Sequence, residues 1–246
     1  MDHLVYIVAS GAREFMLAQA ANTHNLANAS TSGFRADLMM SQGARLPGQE
    51  LSSRAYASMQ NSGVDFQEGV VNSTGRNLDV AISGPGWFTV ADADGGEAFT
   101  RRGDLRVNEL GQMMNGAGQM LLGNSGPIAL PPFSEIAIGA DGTVSIVPLG
   151  ENPSTLAVVD RIKLVNPDSS RLSKGGNGLI QLPDGEKAPA DAAVTLLSGS
   201  LESSNVDSVE AMVRMIELAR GFETHIKMMK VAEQLDATSA KLMSFS

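Results

Sequence analysis

The chain has no cysteine in its 246 residues, which excludes a disulfide framework, a thiolate metal site and a cysteine nucleophile. Aromatic residues are scarce: eight Phe, two Tyr and one Trp. Rings carry much of the buried area of a packed core, so any single tightly packed core is limited in size. Positive charge is short as well. Eighteen basic residues stand against 27 acidic ones, a net charge of −9, and phosphate contacts need a basic surface. No nucleic-acid partner is therefore expected. No apolar run reaches the length of a membrane span, the longest near the start being Leu4 to Ala9, so no membrane insertion is expected either. The opening Met1-Asp2-His3 is followed by no Lys or Arg before Arg13, and does not read as a cleavable signal peptide.

The two ends carry helical patterns. From His3 to about Ala29 there is no Pro and one Gly, with apolar residues at Leu4, Val5, Val8, Ala12 and Phe15. Steps of three and four define one helical face. Asn22, Asn25 and Asn28 recur every three residues and form a narrow amide column. At the other end Met212, Met215, Ala219, Phe222, Ile226 and Met229 follow the 3-4 spacing of a coiled-coil seam. After Met229 the register slips by one through Ala232, Leu235 and Leu242. Asn205 or Asp207 can cap this helix, with Glu210 in the capping-box position. Val206 to Met243 would span about 57 Å at 1.5 Å per residue. A stripe that long needs a complement, and the N-terminal helix and another subunit are the candidates. Gly221 sits inside the pattern at a cost of about 1 kcal/mol relative to alanine, which a close helix–helix approach would explain.

Between the ends the period becomes two. Leu78-Val80-Ile82, Trp87 to Ala91, Thr143 to Val147, Arg161 to Val165 and Leu179 to Leu182 are strand candidates. Asp94-Gly95-Gly96, Asn115-Gly116, Asp141-Gly142 and Asp184-Gly185 punctuate them as turns. The stretch from Thr31 to Gly75 shows neither period and is rich in Ser, Gly, Asn and Gln. It reads as an extended or disordered arm. The expected class is α+β: long N- and C-terminal helices pairing as a coiled-coil-like domain, a central all-β domain and an extended arm. The expected boundaries are 1–30 with 206–246 for the helical assembly domain, 31–75 for the arm and 76–205 for the β-rich domain.

Catalytic patterns are weak. Gly123-Asn124-Ser125-Gly126-Pro127 looks like a serine-protease nucleophile loop, but the three histidines, His3, His24 and His225, all fall on the terminal helices. A Gly-Ser-Pro turn is the plainer reading. Asp92-Ala93-Asp94-Gly95 lacks the later ligands of a calcium loop. Gly84-Pro85-Gly86 and Gly175-Gly176-Asn177-Gly178 match no phosphate-binding spacing. No catalytic, cofactor-binding or metal-binding residue is expected, and no cofactor. The rival readings are a Ser125-dependent hydrolase and a secreted monomeric β-rich binding module.

His24-Asn25-Leu26-Ala27-Asn28-Ala29-Ser30-Thr31-Ser32-Gly33-Phe34 resembles the N-terminal signature of bacterial flagellar rod and hook proteins. Ser204-Asn205-Val206-Asp207, then Val209 to Val213 and Ile216-Glu217, resembles the C-terminal signature of the same family. Gln67-Glu68-Gly69, Ser73 to Ile82, Gly84 to Phe88 and Phe99 to Gly103 are similar to its middle. The start, Met1 to Tyr6, and the short arm look most like proximal-rod members, with distal-rod and hook members the alternative. His24 departs from a usual Asn, and Gly221-Phe222 from an alanine-aromatic step.

The resemblance implies a structural, non-enzymatic subunit of the basal-body rod, exported by the flagellar export apparatus. It implies polymerisation through the terminal helices, with itself and neighbouring rod proteins, into a shaft crossing the periplasm. That shaft would transmit torque and surround the export channel. The subunit-interface residues expected are Leu4, Val8, Phe15, Asn25, Leu26, Asn28, Gly33, Phe34, Met212, Met215, Ala219, Phe222, Ile226 and Met229.

Overall fold

The structure, a computed structural model, describes residues 2–45, 55–92, 94–151 and 155–244. Among these are two α-helices, α1 (Asp2–Ala27) and α2 (Ser208–Ser244). Strands β1 (Asp37–Arg45) and β2 (Ala55–Val64) pair with each other. The strands that follow are β3 (Val71–Ser73), β4 (Val80–Ser83), β5 (Trp87–Ala91), β6 (Glu97–Thr100), β7 (Leu105–Val107) and β8 (Met113–Asn115). Next come β9 (Phe133–Ile138), β10 (Thr143–Pro148), β11 (Ala157–Arg161) and β12 (Leu164–Val165). The last are β13 (Ser173–Lys174), β14 (Ile180–Gln181), β15 (Thr195–Ser198) and β16 (Ser200–Glu202). The chain divides into two compact units. One comprises 1–28, 37–63 and 206–246; the other comprises 29–36 and 64–205.

The second unit is built on a five-stranded antiparallel sheet in the order β12-β5-β6-β14-β13. Side chains alternate across a strand, and here both faces are buried. Phe88, Val90, Ala98 and Leu164 face a core shared with Val80, Leu105, Met113, Leu121 and Ile146. Trp87, Phe99, Val165 and Ile180 face a smaller core with Phe66 against it. That is why Trp87 to Val90 is one continuous buried run. The sheet β11-β10-β9 lies beside it, with β15-β4, β16-β3 and β7-β8 as two-stranded pieces. Turn glycines fall where left-handed backbone is required: Gly95 (φ 80°) links β5 to β6 and Gly142 (φ 86°) links β9 to β10. Ser125 lies exposed in the tight turn that pairs Leu122 with Pro127.

The expected fold class is overturned. Helix occupies only the two ends, and most of the elements between and beside them are strands in small sheets. The unit containing the helices is not purely helical, because β1 and β2 belong to it. The stretch read as an arm holds β1, β2 and β3, and β3 pairs antiparallel with β16, Val71 opposite Glu202. Backbone hydrogen bonding needs no strong apolar alternation, so a Ser/Gly/Asn/Gln-rich strand pair is invisible to a search for period two.

Candidate assembly interface

In the helical unit, α1 and α2 run antiparallel. Asn22 contacts Ala211, Phe15 contacts Gly221 and His225, and Gly11 contacts His225, so α2 numbers rise as α1 numbers fall. The approach is close. A Cβ added to Gly221 would stand 2.3 Å from Phe15 Cε1, and one on Gly11 would stand 2.5 Å from His225 Cε1. Phe15 and His225 rings pack with centroids 5.2 Å apart. The glycine inside α2 is thus where the Phe15 ring sits.

The amide column of α1 is divided among three partners. Asn22 Nδ2 donates 2.7 Å to the Ala211 carbonyl and is buried. The Asn25 amide donates to the Asp37 carbonyl (3.0 Å) and accepts from the Asp37 N–H (2.8 Å), as a neighbouring strand would. Asn28 Nδ2 donates to the His24 carbonyl. At the start of α2, Asp207 Oδ1 accepts from the N–H groups of Val209 (2.8 Å) and Glu210 (3.2 Å), a conventional N-cap. On the side of α2 away from α1, Val209, Met212, Val213 and Ile216 are each more than half exposed. Their 3-1-3 spacing places them on one face.

In the β-rich unit the two terminal signatures meet. The Gly33 N–H donates to the Glu202 carbonyl (2.8 Å), Asn205 N–H donates to the Phe34 carbonyl (3.3 Å), and Ala36 N–H donates to Asn205 Oδ1 (2.8 Å). Gly33 has φ 64°, and a Cβ there would fall 2.3 Å from the Arg101 carbonyl carbon. Only glycine fits. The Lys174 ammonium sits 4.3 Å from the Phe34 ring centroid and donates to the Arg35 carbonyl.

Beneath this segment is a buried charge cluster. Glu202 accepts from Arg35 Nη2 through Oε1 and from Arg101 Nη1 through Oε2 (3.1 Å), and all three side chains are 2–4 % exposed. The Gly69 N–H adds a third donor to the Glu202 carboxylate (2.9 Å). Both guanidinium groups lie over the Trp87 ring, at 5.8 and 5.3 Å. Burial pushes the Arg101 guanidinium below its ordinary value; Glu202 pulls it back up, and Arg35 pushes it further down. Removing one partner of such a cluster leaves a buried uncompensated charge, at a cost of about 3–5 kcal/mol.

Comparison with known proteins decides the family. A model of the flagellar basal-body rod FlgEFG C-terminal region matches residues 197–242, and one of the flagellar hook FlgE/F/G D1 domain matches 81–146. The flagellar basal-body rod protein FlgF of Salmonella typhimurium is 38 % identical, and that of Escherichia coli 37 %, each over the whole of both chains. The rod protein FlgG of Bacillus subtilis is 30 % identical over 94 % of this chain and 95 % of its own. The chain belongs to the flagellar basal-body rod protein family. As a member it is a structural protein of the flagellar basal body, and its likeness to FlgF runs from end to end.

Of the interface residues expected in this rod protein, Val8 and Asn25 are buried. Phe15, Leu26, Asn28, Met215, Ala219, Phe222, Ile226 and Met229 are half-buried. Leu4 is in α1, but its side chain lies outside the described residues. Met212 faces outward, and Ala211 (6 % exposed) takes the inward place. Gly33 and Phe34 belong to the β-rich unit, not to the helix pair.

The rod protein's charge cluster escaped the sequence reading. Arg35 abuts one recognised motif, Arg101 sits within another and Glu202 lies close to a third, yet a charged side chain is normally solvated. The available signal was the order Gly33-Phe34-Arg35 in one signature and Glu202 two residues before the other. Among the described residues no three His, Asp or Glu side chains group to hold a metal ion, and no helix is long and apolar enough to cross a membrane.

Proposed function

We propose that this rod protein is a passive, non-catalytic subunit of the proximal rod. After passage through the flagellar export apparatus, it adds to a growing end through α1 and α2. Its neighbours are copies of itself and other rod proteins. The resulting shaft crosses the periplasm, transmits torque and encloses the export channel. Leu4, Val8, Phe15, Asn25 and Leu26 on α1, with Asn28 just after it, build the assembly unit with Met215, Ala219, Phe222, Ile226 and Met229 on α2. Met212 meets the neighbour, and Gly33 with Phe34 fixes the passage between α1 and β1.

One observation carries this reading: the outer face of α2, where Val209, Met212, Val213 and Ile216 are all more than half exposed and lie together on one helical face. Head-to-tail contacts that do not close on themselves produce a helical assembly, and an apolar helix face supplies the contact. The double substitution Met212→Glu with Ile216→Glu tests it. Both side chains are exposed, so the stability of the isolated chain should change by no more than about 0.5 kcal/mol. The variant should be exported, fold, and be missing from purified basal bodies. Incorporation at the wild-type level would overturn the assignment. Met215→Glu with Phe222→Glu should lose both the helix pair and incorporation.

A further inference from the structure

The cluster around Glu202 has a property that chain packing alone does not require: it ties both passages of the chain to one carboxylate. Arg35 stands on the segment that follows α1, and Glu202 lies six residues before α2 begins. Its side chain holds Arg35, Arg101 and the Gly69 N–H, while its main-chain carbonyl holds the Gly33 N–H. The two arginines are not held equally. Arg101 also donates 2.9 Å to the Gly84 carbonyl, and Glu68 approaches it at 3.7 Å. Arg35 uses Nη2 on Glu202, and its Nε and Nη1 are buried with no hydrogen-bond partner. Two guanidinium charges share one buried carboxylate, so the less anchored of the two is the one the cluster can release.

We propose that the Arg35–Glu202 pair is a latch: it closes residues 29–36 onto the β-rich unit as a local ordering step, separate from formation of the β core. Buried ionic groups are weak sources of net stability and better suited to fixing one arrangement over others. The latch orders the N-terminal signature against the C-terminal one. Opening it leaves the sheets intact, expels Arg35, retains Arg101 on Gly84, and uncovers one face of Trp87. This inference does not depend on the rod reading, since it concerns the fold of a single chain.

The test uses the full-length protein and two variants, Glu202→Gln and Arg35→Met. The chain's one tryptophan is Trp87, so its emission reports on the cluster without labelling. Amide exchange in residues 29–36 is read against Val80, Leu121 and Ile146 in the core. In the wild type Gly33 and Ala36 should exchange through a local opening, faster and with less denaturant dependence than the core; in both variants their exchange should rise by about 100-fold, with Trp87 emission at longer wavelength. If Glu202→Gln fails to fold, Arg35→Met decides, because it leaves Arg101 and Glu202 as a neutral pair. Unchanged protection at Gly33 and Ala36 would overturn the latch. So would equal protection and equal denaturant dependence of segment and core in the wild type, which would mean that residues 29–36 open only with global unfolding.

Discussion

Asp104 shows how a single side chain in the β-rich unit holds a turn. Arg102 donates to it through Nε (2.7 Å) and Nη2 (3.0 Å), a two-pronged pair that is the stronger kind of ion pair. Burial alone would raise the Asp104 carboxyl, but the hydrogen bonds and charge of Arg102 outweigh it, and the carboxyl is held below its ordinary value of 3.8. A carboxyl depressed in the folded state stabilises above its unfolded value, and that stability is lost as pH falls through the lower folded value. Asp104→Asn should therefore cost about 1–2 kcal/mol at neutral pH, and the gap to wild type should close below pH 3.8. Urea unfolding of both proteins across that range checks it; a gap that persists in acid would mean that charge is not the cause. At this scale the sequence was least informative. Arg35, Arg101 and Glu202 look like ordinary surface charges until β16 and the segment before β1 are brought over Trp87. Nothing local encodes that meeting, because the partners are 167 residues apart.

The helices and hairpins were far more legible, because their signals are local. Of the two candidate caps, Asn205 and Asp207, it is Asp207 that caps α2, and the Asp-Gly turns fall between β9 and β10 and, with Gly95, between β5 and β6. Met212 shows where periodicity runs out. A 3-4 pattern defines a stripe but not which edge of it turns inward, and it is Ala211, whose carbonyl accepts from Asn22, that is buried while Met212 is exposed. The strand pair β1-β2 was missed for want of alternation. The packing of Phe15 on Gly221 gives an element-scale prediction. Gly221→Ala should gain about 1 kcal/mol of helix propensity but must displace the ring, whereas in a Phe15→Ala background the ring is absent. The double-mutant cycle, followed by the helical circular-dichroism signal, should show a coupling of at least about 0.5 kcal/mol, with alanine better tolerated when Phe15 is gone. Equal effects in both backgrounds would mean that the contact does not hold the glycine in place.

For the molecule as a whole, the family signatures reach further than any physical pattern. They span both ends and the middle, and the full-length likeness to FlgF agrees with them. What the residues add is a division of labour. The β-rich unit buries two cores, around Phe88 and Trp87, while the start of α2 gathers Val209, Met212, Val213 and Ile216 on one exposed face. This outer face is the proposed docking site of the neighbouring rod subunit. Placing a photo-crosslinking phenylalanine derivative at Met212 or Val213, irradiating flagellated cells and identifying adducts in purified basal bodies tests it directly. Val158, an exposed position on β11, serves as the comparison site. Adducts to a rod subunit are expected from Met212 and Val213; a subunit that enters basal bodies and crosslinks only from Val158 would place the neighbour elsewhere.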